Sequence, residues 1–316
     1  MSLSQDLTPR VAVIMGPTGV GKTEVGIEIA QKIGAEIVSA DSRQIYKYMD
    51  IGTAKPSPEQ RSTVAHWMID CVEPDVDYSA ARYSQDATQV IRRLLSQRRR
   101  VLIVGGSGLY IQALFDRFFP APPANPGLRK RLAEEARVLG SQTLHSRLTQ
   151  VDPEAAHRIH PHDIKRVVRA LEIYELTGTP ISRLQTEHTP ESGFTPLYIG
   201  LTRERKEMRM RIEKRVDGMI GKGLVDEVSK ILAMGYSPDL NSLNTVGYRE
   251  TIQYLRGGRS LDETIALIKK NTRAYGKRQL TWLRKVPNVE WENLSDSDLA
   301  ISRTVKRINE FLHCVN

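Results

Sequence analysis

The sequence has only two cysteines, Cys71 and Cys314, in 316 residues. Their separation excludes a disulfide framework or a cysteine zinc site and points to a reducing compartment. No apolar run approaches the roughly 18 residues of a membrane span. The opening MSLSQDLTPR has no apolar core of a secretory signal. Internal repeats and low-complexity tracts are absent as well. What remains is an ordinary globular composition, 40% hydrophobic and 26% charged, enough for one large domain or two smaller ones. The expected compartment is the cytoplasm, away from membranes.

The charge is uneven. Residues 203–286 hold 19 lysines and arginines against 10 acidic residues, an excess equal to the net +9 of the whole chain. This suits a polyanionic partner, and equally a set of solvated basic helices.

Residues 11–15, VAVIM, read as a buried parallel strand, followed by a helix over 22–33. EIVSAD (36–41) reads as a second strand, 83–98 as a helix and VLIV (101–104) as a third strand. The alternation predicts a doubly wound parallel α/β sheet. A proline-rich break, FFPAPPANPG (118–127), then opens a helical stretch with helices at 128–138, 142–149 and 163–177. LYIGL (197–201) returns to the sheet, and helices follow at 204–222, 223–234, 245–256 and 261–285. The expected organisation is a core of 1–117 and 195–316 with a helical insertion at 118–194.

GPTGVGKT (16–23) matches G-x-x-x-x-G-K-[ST] between a strand and a helix. Gly16, Gly19 and Gly21 let backbone N–H groups converge on phosphate, the helix adds its positive end, Lys22 adds a charge, and Thr23 can hold Mg²⁺. The cradle suits a diphosphate or a triphosphate. An NTPase would usually carry an acid after a neighbouring strand, but VLIV runs into Gly105-Gly106-Ser107. The best-placed acid is Asp41, at the tip of the second strand, as a base, a metal ligand or a helix N-cap.

GPTGVGKT, SADSRQIY (39–46), DIGTAKP (50–56), GGSGLY (105–110), RVVRALEIYELTGTPIS (166–182), RVDGM (215–219), VGYRE (246–250) and TRAYGKRQLTW (272–282) together resemble the tRNA dimethylallyltransferases, in order over about residues 10–286. The resemblance implies a P-loop NTPase-like parallel sheet with a helical insertion and a helical C-terminal part. It implies that the loop, Gly16, Pro17, Thr18, Gly19, Val20, Gly21, Lys22 and Thr23, binds dimethylallyl diphosphate rather than ATP, with Mg²⁺ at Thr23. It also implies a tRNA anticodon stem-loop as acceptor, modified at the adenosine 3′ of the anticodon in tRNAs reading U-initial codons, by a monomer. Asp41 is then the base, and Lys22 and Arg215 hold the departing diphosphate. Segments 41–44, 165–169, 245–250 and 272–280 correspond to stretches that touch tRNA. They nominate Asp41, Ser42, Arg43, Gln44, Arg166, Arg169, Thr245, Gly247, Tyr248, Arg249, Arg273, Lys277, Arg278 and Gln279. Ser107, nominated for tRNA as well because it keeps the hydroxyl, stands where the family usually has threonine, and Gly276 where it has alanine. The zinc finger of eukaryotic relatives is absent, as in bacterial forms.

On helix 261–285, Lys270, Arg273, Lys277 and Arg284 fall near one face, as one RNA-docking element. Tyr275 and Trp282 share another face, where core packing is the plainer role. Arg166 and Arg169 would place the insertion on the anticodon stem. His157, His160 and His162 lie around Pro161 and suit a local loop role better than a metal. Two rival enzymes share the phosphate loop: an adenylate dimethylallyltransferase, which would resemble DKIQ rather than DSRQ at 41–44, and a small-molecule kinase. A non-catalytic RNA-binding protein would not need the loop beside Asp41.

Overall fold

The computed structural model describes residues 8–115, 122–187 and 193–313. Residues 1–7, Cys314 and residues 118–121 of the proline-rich break lie outside them. In chain order the elements are β1 (Arg10–Met15), α1 (Lys22–Ile33), β2 (Ala35–Ala40), α2 (Pro58–Thr63), β3 (His66–Trp67), α3 (Ala80–Ser96), β4 (Arg100–Gly105) and α4 (Gly108–Phe115). Then come α5 (Pro126–Leu139), α6 (Ser141–Val151), α7 (Pro153–Arg158), α8 (Ile164–Thr177) and α9 (Ile181–Glu187). The last are β5 (Thr195–Thr202), α10 (Arg205–Gly221), α11 (Leu224–Ala233), α12 (Tyr248–Leu255), α13 (Leu261–Leu283), β6 (Glu290–Asn293) and α14 (Ser297–His313). Two compact units result: Met1–Phe115 with Gly193–Asn316, and Asp116–Ser192.

In the first unit the strands pair in the order β3-β2-β4-β1-β5-β6, all parallel. Alternate residues feed two cores. Val11, Val13, Met15, Val38, Val101 and Ile103 face one cluster. Ala12, Ile14, Ile37, Leu102 and Val104 face the other. Both faces are covered, so the strands read as continuous apolar runs. Each fully buried Ile or Val side chain contributes roughly 1.5–3 kcal/mol by leaving water. Gly105 pairs with both Met15 and Ala40, so β1, β2 and β4 end at one level. The segments that follow them, starting at Gly16, Asp41 and Gly106, therefore leave the sheet side by side, at the end where open α/β sheets take ligands.

Several boundaries differ from the sequence reading for local reasons. Helix α3 begins at Ala80, because Ser79 Oγ accepts from the Arg82 N–H and caps it there. Helix α12 begins at Tyr248 rather than 245, because Gly247 stands at φ 97°. Helix α4 was not anticipated. Five of its eight residues are buried, but its exposed side carries Leu109 beside Gln112, so its sequence has no clear amphipathic period. Strand β6 and helix α14 also went unread. Helix α14 buries Ala300, Ile301, Thr304 and Ile308 at helical spacing.

The second unit is helical and packs around Leu132, Ala136, Leu144, Leu148, Val167 and Leu171. Among its described residues two carboxylates are buried, Asp152 and Glu172, and the second has no exposure at all. Glu172 accepts from Arg129 Nε at 2.9 Å, Arg169 Nη1 at 2.6 Å and the Asn125 N–H at 2.7 Å. Burial alone would raise its pKa, but these bonds outweigh burial and hold it below the usual value of 4.5. Its contribution to stability is therefore present above about pH 4.5 and fades as pH falls below that. Glu172→Gln is expected to cost about 3 kcal/mol, the low end for breaking a buried pair, because both arginines keep contact with water. Urea denaturation of parent and variant at neutral pH checks this, and the difference should shrink in acid.

Candidate active site

The loop after β1 turns through Gly19 and Gly21 at φ 84° and 103°, a region side chains disfavour. Helix α1 then starts at Lys22 with no side-chain cap, so its first amides and its positive end face the site. Two arginines brace the loop by its carbonyls. Arg203 Nε donates to Val20 O at 2.8 Å, and Arg211 Nε donates to Gly19 O at 3.0 Å. The Val20 side chain is fully buried and contributes only backbone. Gln279, from α13, accepts from the Thr18 N–H at 2.8 Å and donates to Gly106 O at 2.9 Å.

Beside the loop lies a cavity of about 100 Å³. Its lining includes the polar Lys22, Thr23, Asp41 and Arg215 and the apolar Ala54, Val246, Met219 and Ile268. Thr18, Arg43, Gln44, Thr245, Gly247, Tyr275 and Gln279 complete it. The loop also opens on a cleft of about 760 Å³ rimmed by Arg61, Arg211, Lys214 and Lys222.

Asp41 Oδ1 accepts from the N–H of Arg43 at 2.9 Å and of Gln44 at 3.4 Å. It thus caps a turn, not a helix. No hydrogen bond reaches Oδ2 among the described residues. The Lys22 ammonium donates to Pro17 O at 2.9 Å. Burial pushes its pKa down to about 8; Asp41 opposes the shift and Arg215 adds to it. Arg215 is likewise lowered, chiefly by burial and against Asp41, and its Nη2 lies 3.4 Å from Thr53 O. Burial, then Asp41, push the Tyr275 phenol up to about 12, so it is a neutral donor at the cavity wall. Thr23 and Asp41 offer a hydroxyl and a carboxylate to one small space, a donor set that fits a hard cation such as Mg²⁺.

The remaining nominated residues divide. Ser107 Oγ accepts from the Ser42 N–H at 2.9 Å, so the hydroxyl retained there joins two strand exits. Arg43 Nη1 donates to Asn241 O, and Gln44 Nε2 to Ala54 O. Tyr248, expected at RNA, is instead fully buried, with its hydroxyl on Glu227 at 2.5 Å. Arg249 is exposed and pairs with Glu250. Arg273, Lys277 and Arg284 line a groove of about 700 Å³ with Arg205 and Arg209 of α10, while Lys270 is not part of it. Arg273 is paired with Glu213. Arg278 stacks over Tyr275. Tyr275 and Trp282 part company: the first lines the cavity, and the second packs on Gly108. A methyl at Gly276 would meet Thr18 and Pro17 at 3.6–3.9 Å, ordinary contact, so glycine is not required there by space. In the other unit Arg166 is exposed, whereas Arg169 is committed to Glu172 and Pro122 O. His162 bonds Ser141 and lies 5.2 Å from His160, ring to ring. No cluster of three potential His, Cys, Asp or Glu ligands occurs among the described residues.

Sequence reasoning missed Arg203, Arg211, Lys55 and Glu227. Lys55 is almost wholly buried and bonds Tyr46 O, Asp50 and Asp70. The RxxxR spacing of Arg211 and Arg215 on one helix was a usable signal for one of them.

The IPP transferase family model matches residues 44–286. A tRNA dimethylallyltransferase of Thermotoga maritima is 50% identical over 291 residues, 92% of this chain and 94% of that one. A namesake from Geobacter sulfurreducens is 46% identical over 89% of this chain and 91% of its own. Among solved structures, the full-length tRNA isopentenylpyrophosphate transferase of Bacillus halodurans is 38% identical with a TM-score of 0.71, over 96% of each chain. A eukaryotic dimethylallyltransferase, solved acting on tRNA, is 26% identical with a TM-score of 0.81, over 96% of this chain and 79% of that one. With the phosphate loop, the carboxylate and Arg215 on one cavity and this degree of identity along the chain, the protein belongs to the IPP transferase family of tRNA dimethylallyltransferases.

Proposed function

We propose that this chain transfers the dimethylallyl group of dimethylallyl diphosphate to N6 of the adenosine 3′ of the anticodon, in tRNAs reading U-initial codons. The observation that carries the reading is one cavity lined both by Lys22, Arg215 and Asp41 and by the apolar Met219, Ile268 and Ala54. The relatives, named for transfer to tRNA, favour it over a kinase or an adenylate enzyme.

An exocyclic adenine amine is a weak nucleophile, because its lone pair is delocalised into the ring. An allylic diphosphate is a good electrophile once its leaving group is neutralised. Lys22 and Arg215 hold the diphosphate and take up the charge that develops as the C–O bond breaks. The amine nitrogen bonds the allylic carbon, diphosphate departs, and the amine proton passes to Asp41 Oδ2. Thr23, with Asp41 close by, would hold Mg²⁺, which adds positive charge on the diphosphate when bound. The apolar wall receives the prenyl tail and keeps water from it. The adenine must leave its stack to reach this depth. Lys277, Arg278 and Arg284, with Arg166 of the helical unit, take the RNA backbone. The chain works as a monomer in the cytoplasm, and no helix among its described residues is long and apolar enough to cross a membrane.

Incubation with dimethylallyl diphosphate, Mg²⁺ and either tRNA or AMP, followed by nucleoside mass analysis, tests the reading. A prenylated adenosine is expected from tRNA, and a product from AMP alone overturns it. Asp41→Ala should lower turnover by about 10²–10⁴ with tRNA affinity little changed, as befits loss of a proton acceptor. Donor binding should also move a proton. Lys22 sits near pKa 8 without an anion, and a bound diphosphate drives it back toward 10.5. At about pH 9 binding should therefore take up close to one proton, and at about pH 7 almost none. Calorimetry in two buffers of different ionisation enthalpy reads the difference.

A further inference from the structure

The loop 50–56 walls the cavity with backbone rather than with charged side chains. Thr53 O accepts from Arg215 Nη2 at 3.4 Å and from Gln44 Nε2 at 3.4 Å, and Ala54 O accepts from Gln44 Nε2 at 3.2 Å. Ala54 itself stands at φ 49°, a left-handed conformation that a residue with a Cβ adopts at a cost. Something must hold this loop in place.

That something is Glu227, in the first turn of α11. Its carboxylate accepts from three successive amides, Asp50 N–H at 3.0 Å, Ile51 N–H at 2.7 Å and Gly52 N–H at 3.1 Å. Converging amides of this kind form an anion nest. A fourth donor, the Tyr248 hydroxyl, fixes the carboxylate at 2.5 Å. Tyr248 is fully buried, and a Cβ on Gly52 would lie 2.3 Å from its ring, so the loop is pressed onto a fixed support. Lys55 ties the other end of the loop to Tyr46 O, beside the Asp41 turn.

We infer that Glu227 is a positioning residue for the transfer: its carboxylate, seated in the 50–52 amides and locked by Tyr248, sets the Thr53 carbonyl that aims Arg215 at the diphosphate. The inference rests on the reading of Arg215 given above. Negative charge is what the nest requires, so shape alone does not replace it. Glu227→Gln keeps the size but turns an NH₂ group toward N–H donors. Glu227→Ala leaves the nest open to a small external carboxylate.

The test uses the complete enzyme with dimethylallyl diphosphate and tRNA, and separately measures pyrophosphate affinity. For Glu227→Gln, kcat should fall by about tenfold or more, toward the roughly 10²-fold that a 1 Å misplacement at the chemistry can cost, with tRNA Kd nearly unchanged. Pyrophosphate should bind more weakly. Glu227→Ala should lose at least as much and regain activity with formate or acetate, whereas formamide restores nothing. A Gln variant with parental kcat and parental pyrophosphate affinity overturns the inference. So does a folded Ala variant indifferent to carboxylates. If the Ala variant does not fold, Glu227→Asp decides together with Gln, and parental kcat in both is the overturning result. Absence of tRNA product in the parent counts against the proposed function, while the pyrophosphate arm still reads the positioning of Arg215.

Discussion

Two cations that repel each other stand beside one carboxylate at a cavity where burial disfavours their charge. Lys22 and Arg215 are both pushed toward their neutral forms by burial, and Asp41 resists for both. Such a set does not assemble by its own attraction, because burying charge costs more than one carboxylate returns. It has to be held by parts of the protein that are stable for other reasons. The register of β1, β2 and β4 supplies the first constraint by ending three strands at one level. Arg203, Arg211, Gln279 and Lys55 supply the rest by fastening backbone to backbone.

The holding groups and the working groups are drawn from the same residue types, and only geometry separates them. Arg211 and Arg215 lie one turn apart on α10, yet the first is spent on Gly19 O while the second faces the cavity. Arg169 and Arg166 lie three residues apart on α8, yet the first is bound to a buried glutamate and the second is open to water. Gln279, in the basic segment, and Gln44, beside Arg43, look like RNA readers. In the folded chain their amides are engaged with backbone on the cavity floor and at the phosphate loop.

This explains what the sequence could and could not reveal. The phosphate loop and Asp41 were legible because each is a local signal: a strand, a turn residue pattern and the start of a helix or turn. The parallel sheet was legible from apolar runs alternating with helices. Helix α4 was not, since its exposed side carries Leu109 and its sequence therefore has no clear period. Tyr248 was misjudged because a tyrosine in a polar stretch says nothing about the glycine, Gly52, on which its ring rests nearly 200 residues earlier. Arg203 and Glu227 escaped because their partners are carbonyls and amides of distant loops, which leave no mark in residue identity.

The braces on the phosphate loop span almost the whole polypeptide. Gln279 reaches back 261 residues to Thr18, Arg211 reaches 192 to Gly19, and Arg203 reaches 183 to Val20. A chain emerging from the ribosome therefore carries its glycine-rich turn long before it has the side chains that fix it. Contacts this remote close late and slowly, since long loops must be brought together before any bond rewards the closure. The glycine-rich turn is thus made well before the residues that fix it, and it takes its final shape only once they have been synthesised and folded back onto it.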